Sequence, residues 1–280
     1  MYGLLALLAT ASAYLGWRAI ERPGRGVWAG HVLTTLAALY TQNFALFILL
    51  AENLVAIPLA LIRGRPRRLW PWLAAQGLLL LGYAPWALVV VYQTLFHQPT
   101  WIGFPTWRDL AITLLYLIRG TWQEAPFPWI RLATWGWMAL IPLAAGLWAC
   151  RRPELRRPAI WTWSCLLIPL AAIFGLSQRF RLFQPKQFLF LLPFLSLLIG
   201  LGLAALPRWG RAAAGAALVI LLLPGLHTVY SHTQKQAWRA LAAHIDRSAQ
   251  PGDCIYFNAA AGALTLNYYL KTSLPQDGYP

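Results

Sequence analysis

Apolar residues fall in long unbroken runs along this chain, not in alternation with polar ones. The windows 69–92, 132–150, 158–176, 188–206 and 212–229 contain no charged residue. A helix of about 20 apolar residues crosses roughly 30 Å of hydrocarbon, so each window predicts a membrane span. Residues 28–62 are too long for one ordinary span and just long enough for two short ones. The polar positions of "LYTQNFALFILLAENL" (39–54) fit that division. A turn near Tyr40–Asn43 places Gln42 and Asn43 where water or headgroups reach them. The alternative is one long, tilted helix. Glu52 falls about two turns into the returning helix. Two readings stay open for it: an ionisable group facing a wet cavity, which marks function inside a membrane, or a neutral carboxyl bonded to a neighbouring helix.

Composition supports the membrane and excludes much else. Of 280 residues, 59% are hydrophobic and 11% charged, against about 45–50% and 25% in soluble domains. The net charge of +15 comes from short clusters between apolar runs, not from a basic patch on a soluble fold, so no nucleic-acid partner is expected. Arg18, Arg22 and Arg25; Arg63, Arg65, Arg67 and Arg68; Arg151, Arg152, Arg156 and Arg157; and Arg208 and Arg211 mark four tight loops. The positive-inside tendency puts these in the cytoplasm. Alternating from there, the chain makes about eight crossings with both termini on the outer side. The expected fold is an all-α polytopic membrane domain over 1–229, followed over 230–280 by the start of a small α/β extracytoplasmic domain. In that second segment a helix over 234–248 with Trp238, Leu241 and Ile245 on one face, a strand at "CIYFN" and a helix over 259–270 are expected. One strand cannot make a sheet, so the unit is expected to continue past Pro280. "MYGLLALLATASAYLGW" has no basic leader region, its positive flank follows the apolar run, and the chain reads as an internal piece of a longer protein.

Candidate chemistry is sparse. Cys150, Cys165 and Cys254 have no metal-ligand spacing and read as small core residues. No metal site, phosphate-cradling loop, hydrolase triad, repeat or inverted pair of broken helices stands out. Gly200 and Gly202 lie inside an apolar run, where small residues serve helix packing. One cluster runs against the charge rule: "SQRFRLFQPKQFLFLLP" puts Arg179, Arg181 and Lys186 in an outer loop. A lipid phosphate explains them, since Arg offers a bidentate fork and Lys a point charge, and Pro185 would open a helix whose positive end favours an anion. Contact with bulk headgroups is the other explanation. A segment from Asp109 to Arg119 is amphipathic enough to lie along the surface.

In order, "MYGLLALLATASAYLGWRAI", "ALYTQNFALFILLAENL", "FQPKQFLFLLPFLSLLIGLGLAAL" and "WRALAAHIDRSAQPGDCIYF" resemble the GT-C class of integral-membrane glycosyltransferases. The branch they resemble most holds the bacterial protein-mannosyltransferase and aminoarabinose-transferase-like proteins, and the likeness is to its C-terminal part only. The resemblance implies transfer of a sugar from a polyprenyl-phosphate donor to a glycan, lipid or protein acceptor at the outer face of the cytoplasmic (inner) membrane. It also implies that the catalytic carboxylate lies upstream of Met1. Within the chain, Asp109 and Glu124 are the weaker catalytic candidates. Lys186, Arg179 and Arg181 would bind the donor phosphate, and Gln42, Asn43 and Glu52 would line the cavity. The family's Arg-Tyr pair after the proline is Lys186-Gln187 here, and Gln42 stands where a His is common. The alternative from another class is a non-catalytic lipid-handling or scaffold membrane protein. No cofactor is indicated either way.

Overall fold

The computed structural model describes residues 1–62, 69–96, 102–119, 128–231, 237–257 and 261–278. It divides into two units, Met1–Leu226 and His227–Pro280.

The larger unit is an all-α membrane protein. Helix α1 spans Tyr2–Glu21, α2 Arg25–Thr41, α3 Ala45–Ile62, α4 Leu69–Phe96, α5 Trp107–Arg119, α6 Pro128–Arg151, α7 Pro153–Leu176, α8 Leu192–Ala205 and α9 Arg208–Ser231, the last running on into the second unit. Among the described residues, four helices are long and apolar enough to cross a membrane: α1, α4, α7 and the continuous stretch Pro185–Ala205. Their leucines are exposed along the outer flanks, as at Leu80 and Leu81 of α4, because the surroundings are lipid.

Local sequence sets the breaks. Arg22-Pro23-Gly24 separates α1 from α2, since proline lacks the N–H that would continue the ladder. At Gln42 the backbone turns extended (φ −165°, ψ 132°), and α3 begins at Ala45. Residues 28–62 are therefore two helices and not a single tilted one. Helices α1 and α2 pack antiparallel, with Gly16 under His31, Gly30 against Leu15 and Ser12 beside Thr35. Trp161 of α7 closes one side, its indole N–H donating to the Ala13 carbonyl at 3.1 Å. Helix α4 runs parallel to α2, with Trp72 near Trp28 and His31 at one end and Tyr83 near Tyr40 at the other.

Two sequence expectations are refined here. Pro185 opens a seven-residue 3-10 turn, Pro185–Leu191, which passes directly into α8. Such runs rarely exceed 3–4 residues; this one buries Phe188, Phe190 and Leu191 completely. Of the two glycines in α8, Gly202 serves the packing: a Cβ there would lie 2.5 Å from the Ile141 carbonyl oxygen of α6, whereas Gly200 has open space.

In the second unit, α10 (Trp238–Ser248), β1 (Ile255–Phe257), α11 (Ala261–Asn267) and β2 (Gln276–Gly278) surround a small core of Ala242, Phe257 and Leu266. The expected apolar face of α10 is shifted. Trp238 and Ile245 pack inward with Ala242, while Leu241 is 44% exposed, since a spacing of four and three, not three and four, carries the stripe here. The expectation of a lone strand is also corrected. β2 pairs in parallel with β1, Tyr256 opposite Asp277. "QDG" is too short and polar to announce a strand; the pairing depends on the chain returning to β1.

Candidate functional site

Two polar constellations are built into the larger unit, one within the helix bundle and one at the end of α7. The first centres on Glu52, which is fully buried. Ser12 Oγ of α1 lies 2.9 Å from Glu52 Oε1 and 2.8 Å from Thr35 Oγ1. The Thr35 hydroxyl donates to the His31 carbonyl one turn earlier, at 2.6 Å. His31 is equally buried: its Nδ1 sits 3.2 Å from the Ser12 carbonyl oxygen, and its Nε2 lies 3.7 Å from Glu52 Oε2. Trp72 stacks on the imidazole at 5.5 Å. Three helices thus place Ser12, His31, Thr35 and Glu52 in one buried cluster, in which His31 Nε2 and Glu52 Oε2 have no hydrogen-bond partner among the described residues. Sequence reasoning singled out Glu52 and missed the other three. His31 was legible in principle as an ionisable residue between apolar neighbours, but Ser12 and Thr35 are ordinary residues in helices until the fold brings them together.

The other polar residues of the opening stretch have structural partners. Asn43 Oδ1 accepts from Tyr83 Oη (3.0 Å) and Trp86 Nε1 (3.2 Å), tying the α2–α3 turn to α4. Asn53 accepts from Trp72 Nε1 at 2.8 Å and donates to Gln76 Oε1 at 3.0 Å. Gln42 keeps a buried Oε1 without a partner among the described residues, as do Ser177 Oγ and Gln187 Oε1. Buried polar atoms are ordinarily satisfied, so each of these is an available position for a water or a ligand group.

The second constellation follows α7. After Leu176 the chain folds through tight turns, with the Phe180 N–H donating to the Leu176 carbonyl at 2.9 Å. Phe183 is inserted beside Phe174 and Phe188, at ring distances of 6.1 and 5.0 Å. Trp107 at the start of α5 packs against Phe174, the rings tilted by 39° with centroids 4.6 Å apart, and Gln178 Nε2 donates to the Pro105 carbonyl at 3.1 Å. With the aromatic rings filling the interior, the cations stay outside. Lys186 and Arg179 are exposed, and Arg181 is half-buried with its guanidinium 5.4 Å over the Phe104 ring. The loop is therefore a pinned aromatic base carrying cations on its rim, a shape suited to a phosphate at a membrane boundary.

Asp109 is engaged at the start of α5. Its carboxylate accepts from the Thr106 N–H (2.8 Å) and hydroxyl (2.7 Å), and its own N–H returns to Thr106 Oγ1 at 3.3 Å. This reciprocal pairing caps the start of α5. The Thr106 hydrogen bonds, side chain first and backbone second, hold its carboxyl below the usual aspartate value, which makes it a weak proton acceptor. Glu124 lies outside the described residues, as does His97. No group of three His, Cys, Asp or Glu suited to a metal occurs among the described residues.

One curated protein shares sequence with this chain across 146 residues at 31% identity. It is GPI alpha-1,2-mannosyltransferase 3 of Danio rerio, and the aligned stretch is 49% of this chain and 24% of that protein. The chain thus spans about a quarter of the length of the relative it matches. No family model matches, and no solved structure matches. The similarity is thus to part of a protein named as a mannosyltransferase.

Proposed function

We propose that this chain is part of a membrane glycosyltransferase that takes its sugar from a polyprenyl-phosphate carrier, with the donor phosphate held at the loop of Arg179, Arg181 and Lys186. The observation that carries the reading is the 31% identity to a mannosyltransferase. The pinned loop supports the choice of donor: a transferase using a lipid-linked sugar needs cations at a membrane boundary, on a backbone that does not move when charge develops.

The chemistry is a displacement at the anomeric carbon. The acceptor oxygen forms a bond to that carbon as the bond to the phosphate oxygen breaks. The hydroxyl proton passes to a carboxylate, and the leaving negative charge collects on the lipid phosphate. Cations placed in advance around that phosphate lower the barrier because they need no reorganisation during the reaction. With Asp109 engaged at Thr106, the base is expected on the upstream outer loop that the family resemblance implies. Transfer on the outer face, an inner-membrane location and eight crossings belong to the same proposal.

The test is binding of a short-chain polyprenyl phosphate to the purified protein and to Lys186→Ala. Loss of one charge-assisted contact of about 1.5–3 kcal/mol weakens binding roughly ten- to a hundredfold. Binding unchanged in Lys186→Ala and in Arg179→Ala makes these cations ordinary headgroup contacts and overturns the donor assignment.

A further inference from the structure

A second charged feature lies where α1 ends and α7 begins, and the proposed donor chemistry does not use it. Here the two helix ends enclose a cleft of about 560 Å³, with Tyr14, Trp17, Arg18 and Glu21 on α1, Arg22 just past its end, and Glu154 and Arg157 on α7 in its wall; Glu21 already has a partner of its own. That volume lies within the range of small-ligand sites, about 300–1,000 Å³. Arg18 is held in place: its Nη1 donates to Tyr14 Oη at 3.1 Å, and the guanidinium sits 5.8 Å over the same ring. Arg22, the C-cap residue of α1, lines the same cleft four positions later. Among the described residues Arg22, Glu154 and Arg157 have no ion-pair partner, although they share one cleft. The N-cap of α7, Arg152, makes no side-chain cap, and Pro153 and Glu154 form its first turn. At that start Pro153 has no N–H, and the Leu155 and Arg156 N–H groups both donate to the Arg152 carbonyl, at 3.0 and 3.1 Å; the positive potential of the cleft therefore comes from its arginines.

We infer that this cleft binds a phospholipid whose headgroup carries both a phosphate and a primary ammonium, as in phosphatidylethanolamine. Both signs of charge in the wall are the argument. Three arginines suit the phosphate, and Arg donates to it in paired N–H bonds. The Glu154 carboxylate accepts N–H bonds, which an ethanolamine ammonium supplies and a choline does not. An anionic headgroup without an amine would leave Glu154 facing negative charge. Trp17 and Tyr14 are of the type that settles at headgroup level, which matches a lipid whose chains continue along the apolar flanks of α1 and α7.

The experiment compares thermal unfolding midpoints of the purified protein in nanodiscs of phosphatidylcholine, alone or with phosphatidylethanolamine or phosphatidylglycerol added. The expected result is the highest midpoint with phosphatidylethanolamine and preferential retention of that lipid on delipidation. Arg22→Ala with Arg157→Ala lowers its retention roughly two- to fivefold per exposed contact removed. Glu154→Gln erases the preference for ethanolamine over glycerol headgroups while leaving phosphate binding. Equal midpoints in the three lipids, a highest midpoint with phosphatidylglycerol, retention unchanged in the double arginine variant, or an ethanolamine preference that survives Glu154→Gln each overturns the inference. So does an equal shift from soluble phosphoethanolamine, which would assign the cleft to a free metabolite. The cleft is separate from Lys186, so failure here leaves the donor assignment standing.

Discussion

Replacing Glu52 by Gln should leave the protein folded and nearly as stable, whereas Glu52→Ala should damage it severely. The argument is a proton count. The Thr35 hydroxyl hydrogen is committed to the His31 carbonyl at 2.6 Å. Ser12 has one hydroxyl hydrogen and two oxygen neighbours, Thr35 Oγ1 at 2.8 Å and Glu52 Oε1 at 2.9 Å. One hydrogen cannot fill both contacts, so a proton on the Glu52 carboxyl closes the chain. The ion-pair alternative has poor geometry: Glu52 Oε2 and His31 Nε2 are 3.7 Å apart, beyond hydrogen-bond length. A buried pair repays its desolvation only when the geometry is excellent. Gln carries its own N–H₂ and nearly the same volume, so Glu52→Gln should change stability by less than about 1 kcal/mol. Glu52→Ala removes the link between α1 and α3 and opens a cavity. Leaving Ser12 unsatisfied costs about 1–3 kcal/mol, and large-to-small replacements in a core cost about 2–5 kcal/mol; partial relaxation makes about 3–5 kcal/mol the expected total. Thermal or denaturant unfolding in detergent, monitored by tryptophan fluorescence, reads both variants. If Glu52→Gln is as damaging as Glu52→Ala, the cluster is an ion pair and the proton count fails.

Further outcomes follow from single contacts. Gly202→Ala drives a methyl into the Ile141 carbonyl and should destabilise the α6–α8 contact by about 1–3 kcal/mol, measured by the same unfolding assay; Gly200→Ala, with open space around it, should not. Asp109→Ala should fray the start of α5 at about 0.5–2 kcal/mol, while Asp109→Asn should leave any sugar transfer intact. Transfer abolished in a folded Asp109→Asn protein would return that residue to the role of base. In the second unit, Asp246 accepts the Thr272 hydroxyl at 2.8 Å and the backbone N–H groups of Thr272 and Lys271, and its carboxyl lies below its ordinary value of 3.8, with the Thr272 hydroxyl the largest cause. The unfolded chain then binds more protons, so stability rises with pH across that window. The contribution is complete above about pH 4 and is lost as pH falls through the lowered value. Thr272→Val should flatten that acid-side dependence when melting of the unit is followed against pH.

The helices that pack against lipid were legible because a membrane imposes one rule on long stretches: every backbone group must be bonded within the segment, and apolar side chains must cover it. Thus the uncharged windows at 69–92 and 158–176 correspond to α4 and α7, and the turn after α2 follows from two polar residues between apolar runs. What the sequence could not determine is which polar groups meet. Glu52, His31, Ser12 and Thr35 are scattered over 41 positions, and their contacts depend on the register of three helices. That register is set by small residues such as Gly16, which lets the His31 ring approach α1. In the same way "QDG" has no intrinsic tendency to form a strand and becomes β2 only by pairing with β1. Asp109 is one of two weak catalytic candidates by sequence; the Thr106 cap that engages it exists only once the helix starts there. Periodicity and burial are properties of a segment and can be read along the chain, whereas hydrogen-bond partnership is a property of two segments and waits for the tertiary fold.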